Sequence, residues 1–355
     1  MTTIHITEQD ALLKIHHRYL KVFHQHQQRI SIPIRNISQL VIFGNIKLAK
    51  EVVQVARLQQ IPVLYLTETG EFVGRLENPS PVQAKYLSYQ RRCLRDFEFN
   101  RATAESIIWA KLHNQHTFLQ SWSRYYANQK IQRALNYLTL LMENLAVAPS
   151  IEYLREYIVE ADNVYYCAVA SLLKFYKPCV STAKQVSKFL NLGNKLLHQY
   201  IYIHLQSAGL HPDYAILHSD SHYELPLAWD FAAEFKAPIV DDVVLNFARS
   251  LTNTNGNGNG KSQSRTLLQR FLQHWEGKLR TFVLHPYAGE VTYRQCIDLQ
   301  VREYIACLLG DVEYYRPLAL KFHPNSEVTS QKLKGKREEE SKQLLFAINN
   351  NSSKN

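Results

Sequence analysis

The 355-residue chain contains no apolar run near the roughly 18 residues that cross a bilayer, so no membrane-spanning helix is expected. Its first residues, MTTIHITEQD, lack a basic segment leading into an apolar one, and no secretory signal is expected either. Cysteine is sparse: Cys93, Cys167, Cys179, Cys296 and Cys307 are scattered without a C-x-x-C pair. That spacing argues against a zinc knuckle and against a secreted disulfide framework. No internal repeat is visible. Together these absences point to a soluble protein of a reducing cytoplasm.

What the chain does have is ordinary globular material, 46% hydrophobic and 20% charged, with a length that favours two domains. Lys and Arg number 41 against 31 acids, a net charge of +10. A basic surplus favours polyanionic partners, because each phosphate contact releases condensed counterions, but many basic proteins bind no nucleic acid.

Residues 1–77 read as a small β-domain. Ile4-His5-Ile6, Leu12–Ile15, Tyr19–Phe23, Arg29–Ile34, Leu40–Gly44, Ile61–Leu66 and Phe72–Leu76 are strand candidates by alternation or by short apolar runs. Leu48–Ala56 alone has helical spacing. Asn78-Pro79-Ser80-Pro81 (78–81) reads as a linker, since two prolines in four residues stop regular structure. From Val82 to about Tyr315 the apolar spacing is mostly helical, and 82–331 reads as a helical DNA-binding and catalytic domain. Within it the Asn/Gly-rich stretch around 252–264 reads as a mobile loop, and 332–355 as a disordered tail. The fold class expected is therefore α+β, with a small N-terminal β-domain and a larger all-helical C-terminal domain.

Residues 82–133 hold nine Lys or Arg (85, 91, 92, 95, 101, 111, 124, 130 and 133) against Asp96, Glu98 and Glu105, with Tyr and Trp interleaved. That pattern fits a basic stripe along DNA phosphates as well as it fits a solvated helix face. Chemistry is concentrated later, where Gly209-Leu210-His211-Pro212-Asp213-Tyr214-Ala215-Ile216-Leu217-His218 is followed by Asp230 on a new helix. An imidazole and a carboxylate make a sensible divalent-metal pair, although a lone His beside a helix is more often structural.

The run Gly209–His218, followed by Asp230-Phe231-Ala232-Ala233-Glu234-Phe235-Lys236-Ala237-Pro238, resembles the CRISPR-associated integrase family of the spacer-adaptation module. That family's pattern is G-L-x-P-x-x-G-x-L-H, then an Asp opening D-L-M-E-E-F-R-P. Ile32-Pro33-Ile34, Phe43-Gly44 and Ile61-Pro62-Val63 are similar to its N-terminal domain, and Lys111–Gln115 to its K-I-x-N-Q helix. Gln269-Arg270-Phe271-Leu272, His285-Pro286, Tyr293-Arg294, Ile297–Gln300 and Tyr315-Arg316-Pro317 extend the likeness to about residue 320. The resemblance implies a β-sandwich-like N-terminal domain and a helical catalytic domain. It also implies a homodimer with a small ferredoxin-like adaptation subunit as partner. The activity implied is integration and endonucleolytic cleavage of double-stranded DNA with Mg²⁺ or Mn²⁺, with His218 as catalytic residue and metal ligand beside Asp230.

Two further ligand positions depart from the family. Aligning Tyr165-Tyr166 with its E-G-x-A-A-x-x-Y-F helix puts Ile158 where the metal-binding Glu is expected. The acid three residues after Asp230 falls on Ala233. Glu156 and Glu160 flank Ile158, but at about 100° per residue they face away from it, and Glu160 completes the metal set only through a shifted register. In Ala183–Asn194, Ser187 and Asn194 replace an Asn and a Tyr of the family. A working metal-dependent nuclease and a non-catalytic DNA-binding or scaffolding paralogue both remain open, as does a transposon-associated relative.

Overall fold

The structure is a computed structural model that describes residues 2–76, 85–126, 128–175, 180–219, 224–252 and 260–320. Among the described residues the chain divides into two compact units: 2–76 and 260–273 in one, 85–252 and 274–320 in the other. The linker expected at 78–81 and the tail at 332–355 lie outside the described residues, as does 253–259 of the Asn/Gly-rich stretch.

The first unit carries strands β1 (Thr2–Ile6), β2 (Leu12–His16), β3 (Tyr19–His24), β4 (Gln27–Pro33), β5 (Ile37–Phe43) and β6 (Lys47–Leu48). Helix α1 (Lys50–Leu58) and strands β7 (Val63–Leu66) and β8 (Phe72–Leu76) follow. They form two four-stranded sheets, ordered β1-β5-β7-β8 and β4-β3-β2-β6. Strand β5 is parallel to both β1 and β7, and its near-complete burial explains the unbroken apolar run from Leu40 to Phe43. The helix expected from Leu48 starts later because Lys47 and Leu48 first pair with Leu12 and Leu13 of β2. Ile4, Ile6, Leu13, Leu20, Val22, Ile42 and Val63 meet Val52 and Ala56 of α1 in one core.

The second unit opens with α2 (Leu87–Cys93), α3 (Phe97–Ser123), α4 (Gln129–Asn144), α5 (Ile151–Phe175), α6 (Val180–Ala208) and α7 (Pro226–Phe235). Asp96 caps α3 by accepting from Glu98 and Phe99 N–H at 3.0 and 3.2 Å, and Asn128 caps α4 from Lys130 N–H at 2.8 Å. After α7 a π-helical turn, Lys236–Asp241, leads into α8 (Asp242–Thr252). Pro238 sits inside that turn, and the wider i→i+5 ladder accommodates its missing N–H.

Two expectations are corrected here. Helix α9 (Gly260–Leu279) begins before the expected end of the loop at 264, and residues 260–273 group with the strands instead of with the helical domain of 82–331. Its residues Arg265 and Gln269 supply the reason: Arg265 pairs with Glu8, and Gln269 donates to Thr7 Oγ1 at 3.2 Å. The C-terminal unit is also not all helical. Strands β9 (Phe282–His285) and β10 (Gly289–Thr292) make an antiparallel hairpin before α10 (Tyr293–Leu309), whose cap Thr292 forms a capping box with Gln295.

His285, at the end of β9, accepts N–H groups of Tyr287 and Ala288 on Nδ1, which leaves Nε2–H to donate to Gln300 Oε1 at 3.0 Å. Gln300 in turn donates to the Arg316 carbonyl at 3.0 Å and lies 3.4 Å from Glu234 of α7. Glu234 is fully buried and accepts from Tyr315 Oη at 2.5 Å and Leu318 N–H at 2.8 Å. Asn114 of α3 donates to the carbonyls of Glu234 and Leu318 and accepts from Leu320 N–H. Residues 315–320 are thus strapped across α3 and α7.

Burial pushes the Glu234 carboxyl up to about 8, against the opposing hydrogen bonds of Tyr315, Leu318 and Gln300. It pushes Asp241 up to about 7. A carboxyl whose folded pKa exceeds its unfolded value binds its proton more tightly in the folded state. Its stabilisation is therefore present at acid pH and lost as pH rises through the folded value. Wild-type stability from urea unfolding is expected to fall between about pH 5 and pH 8.5 by on the order of a few kcal/mol. The Glu234→Gln variant is expected to show a smaller fall; equal slopes would contradict this account.

Candidate functional site

Helix α6 ends at Gly209, whose φ of +89° turns the chain into the segment that reaches His218. Gln90 of α2 has no exposed surface and grips the segment's start: its Nε2 donates to the His211 carbonyl at 3.0 Å, and its Oε1 accepts His211 N–H at 2.9 Å. Leu210, Ala215, Ile216 and Leu217 are buried behind it.

Asp230, in the first turns of α7, is fully buried and closes the other end. Its Oδ2 accepts N–H of Ile216 at 2.7 Å and of Leu217 at 3.2 Å, and its Oδ1 accepts N–H of His218 at 3.1 Å. The same Oδ1 lies 2.8 Å from His218 Nδ1. From the opposite side Arg155 of α5 donates to the carbonyls of Leu217 and Ile216 at 2.8 and 3.2 Å, and to Ser219 Oγ at 2.9 Å. One carboxylate holds the donors of this turn and one guanidinium holds its acceptors.

The position expected to carry a metal-binding Glu lies on that same helix. Arg155, Ile158 and Asp162 recur at i, i+3 and i+7 and so share one face of α5. Ile158 is half-buried there, one turn from the guanidinium that reaches the His218 turn. Asp162 is not available as a replacement, since it accepts from Lys111 Nζ at 2.7 Å and Gln115 Nε2 at 2.8 Å. Burial holds the Lys111 ammonium below its ordinary range, and Asp162 opposes that shift.

Glu160 is not brought to His218 and Asp230. It is exposed and accepts from Tyr137 Oη of α4 at 2.6 Å, so the rotation expected from helix geometry separates it from the turn. Glu156 is exposed as well, and Ala233 stands half-buried one turn beyond Asp230. Among the described residues no group of three or more His, Cys, Asp or Glu side chains is placed to hold a metal ion. The donor set therefore falls short of the divalent ion that the resemblance implies: both Asp230 oxygens already accept backbone N–H groups, and Ile158 and Ala233 offer no donor.

A second polar cluster extends from Lys111 and Asp162. Asp241, at the end of the π turn, accepts from Tyr165 Oη at 2.9 Å, and Lys236 lies 4.9 Å from the centre of the Tyr166 ring. The i→i+5 geometry of the turn brings Lys236 and Asp241 towards the same two tyrosines.

The basic stretch also resolves into parts. Lys85, Arg91, Arg92 and Arg95 are exposed around α2, and Arg124, Lys130 and Arg133 are exposed near the start of α4. Arg91 lies over the Tyr214 ring at 5.6 Å, and Arg92 over Tyr89 at 5.2 Å. Between these ends, Lys111 is buried and Arg101 bonds Glu105 and the carbonyls of Ala146 and Ala148. The stripe along 82–133 is therefore two surface patches joined by structural cations.

Replacing Asp230 by Ala is expected to leave three buried N–H groups without acceptors. The unfolding free energy should drop by roughly 3 kcal/mol or more, at about 1–3 kcal/mol per orphaned group. Amide hydrogens of Ile216, Leu217 and His218 should exchange much faster in the variant. Unchanged protection at those three sites would contradict the clamp.

Sequence reading found His218 and Asp230, and the structure brings them together. It missed Gln90, for which no signal existed, and Arg155, the lone cation between Ala134 and Leu173. It noticed Lys111, Asn114 and Gln115 as a motif without assigning what each one holds.

A family model described as CRISPR associated protein Cas1 matches residues 4–277. A relative from Thermus thermophilus, named CRISPR-associated endonuclease Cas1 1, is 24% identical over 323 residues, covering 88% of this chain and 98% of its own. Among solved structures, a casposase bound to integration product has a TM-score of 0.72 at 19% identity, covering 94% of this chain and 99% of that one. A chain of a Cas6-RT-Cas1–Cas2 complex has a TM-score of 0.69 at 16% identity, covering 91% of this chain and 36% of that one. Both likenesses are of fold, and they agree with N-terminal sheets followed by a mostly helical region. With most of its length matched by that family model, the chain belongs to the CRISPR-associated Cas1 family.

Proposed function

We propose that this chain is a DNA-binding subunit of the CRISPR spacer-acquisition machinery in which the residues at the expected metal centre hold the fold instead of an ion. The observation that carries this reading is the engagement of Asp230. Its buried carboxylate bonds three backbone N–H groups and His218, and the neighbouring ligand positions are Ile158 and Ala233.

The polyanion-binding part rests on the exposed cations of α2 and of the region before α4. Exposed cations of this kind suit phosphate contacts, which position nucleic acid without reading its sequence. Double-stranded DNA and a small ferredoxin-like, Cas2-like adaptation subunit are the partners in this reading; two solved structures of similar fold, a casposase bound to integration product and a Cas6-RT-Cas1–Cas2 complex, favour it. A homodimer is part of the same reading. No described helix is long and apolar enough to cross a membrane.

Metal-dependent cleavage and strand transfer with Mg²⁺ or Mn²⁺ is the second reading. It is favoured by the retained His218–Asp230 pair at 2.8 Å and by the endonuclease name of the Thermus relative.

Duplex binding followed by fluorescence anisotropy is expected to weaken on the order of a thousandfold between about 50 and 200 mM salt. Each of Arg91→Ala and Arg95→Ala should reduce the salt slope by about one. On a branched DNA with either metal, no strand-transfer product is expected. Product that disappears in His218→Ala would overturn the non-catalytic reading and leave the integrase. A gain-of-ligand test is independent of activity: Ile158→Glu/Ala233→Asp should bind Mn²⁺ by electron paramagnetic resonance, and wild type should not.

A further inference from the structure

Helices α4 and α5 of this basic chain carry a strongly acidic surface. Between Ala134 and Leu173 the only cation is Arg155, against Glu143, Glu152, Glu156, Glu160 and Asp162. Arg155 and Asp162 are turned inward, onto the His218 turn and onto Lys111. The four glutamates are exposed on the hairpin of α4 and α5, where the bond between Tyr137 and Glu160 fixes how the two helices face each other.

Apolar side chains stand among these acids. Leu140 is 51% exposed, Val147 73%, Tyr153 51% and Val159 61%. On α4, Asn136, Leu140 and Glu143 follow one another at helical spacing. On α5, Glu152 or Tyr153, then Glu156, then Val159 or Glu160 do the same. The α4 cations Lys130 and Arg133 lie at the other end of the hairpin, beyond Tyr137. An exposed apolar row set in like charge resembles the centre and rim of a protein interface. Its charge repels nucleic acid.

The complement is present on the same chain. Around α2, Lys85, Arg91, Arg92 and Arg95 are exposed, with Phe97 56% exposed beside them. Against these cations stand Asp96, engaged as the cap of α3, Glu98, Asp213 on the neighbouring turn, and Asp311, exposed three residues past the Leu308 carbonyl that Arg92 reaches. Cations and an aromatic ring on one surface face acids and apolar side chains on the other.

We propose that the α4–α5 face of one copy docks on the α2 face of a second copy of this chain, in a head-to-tail contact between unlike surfaces. Such a contact extends to further copies unless it closes into a ring. It uses the cations that the proposed function assigns to DNA, so duplex DNA competes with it. It rests on that reading only for the competition, not for the association.

Sedimentation velocity of the full-length protein tests the contact. The weight-average sedimentation coefficient should rise with concentration at low salt and fall back at high salt or on adding duplex DNA. Two variants, Glu143→Lys/Glu156→Lys and Arg91→Glu/Arg95→Glu, should each lose this association. Mixed together they should regain it, because one then presents two basic faces and the other two acidic ones. Recovery on mixing also shows that both variants fold.

Association unchanged in either variant, or no recovery in the mixture, would overturn the proposal. So would a wild type that stays one species at every salt concentration while a synthetic Leu/Lys amphipathic helix binds it and not the Glu variant. That result would assign the face to another, basic protein. Anisotropy on the same samples separates the two ideas: wild type that binds duplex DNA but does not self-associate refutes only the contact, and the Glu143→Lys/Glu156→Lys variant should bind duplex DNA no more weakly than wild type does.

Discussion

The helical unit depends on two carboxyl groups buried four residues apart on α7. An ionised or polar group taken out of water is costly unless its hydrogen bonds are replaced. Asp230 finds its replacements in the N–H groups of residues 216–218, and Glu234 finds them in Tyr315, Leu318 and Gln300. These satisfied groups determine where two irregular segments must run, because any other path would strand a carboxyl in the interior. The His218 turn and the strap at 315–320 are therefore consequences of one short helix. Arg155, Gln90 and Asn114 complete them from α5, α2 and α3.

The same logic accounts for the Lys111–Asp162 pair. A buried ammonium and a carboxylate gain little net stability over apolar residues of the same size, but removing one partner leaves the other uncompensated. The pair therefore fixes α3 against α5 more than it strengthens the fold. It also gives the helix face that Ile158 shares an internal cation of its own. In this chain the charge on that face is balanced by side chains of the fold.

Much of this was legible in the sequence, and the parts that were not have identifiable reasons. Strands whose side chains alternate, such as Tyr19–Phe23, and the apolar run of β5 declared themselves through burial period. The β9–β10 hairpin did not, because four-residue strands around Tyr287-Ala288 carry too few residues to show a period of two. Glu160 faced away from the site as its rotation about α5 required. Lys111 was misread as surface charge because sequence alone does not reveal that Asp162, fifty-one residues later, waits opposite it. Buried amides such as Gln90 leave no pattern at all, since their partners are backbone groups of a distant turn.

The pattern of retained and replaced residues follows from what each one does for the fold. Asp230 cannot be lost cheaply, since three backbone donors would be orphaned in the interior, and His218 Nδ1 bonds the same carboxylate. Positions 158 and 233 carry no such burden: Ile158 and Ala233 are half-buried and hold no backbone group in place. An acid at either would have only a ligand to justify its charge. The survival of a His–Asp pair is thus weak testimony for catalysis in any relative where the pair also closes the turn. Acids with no structural duty would be the better witnesses, and positions 158 and 233 carry Ile and Ala.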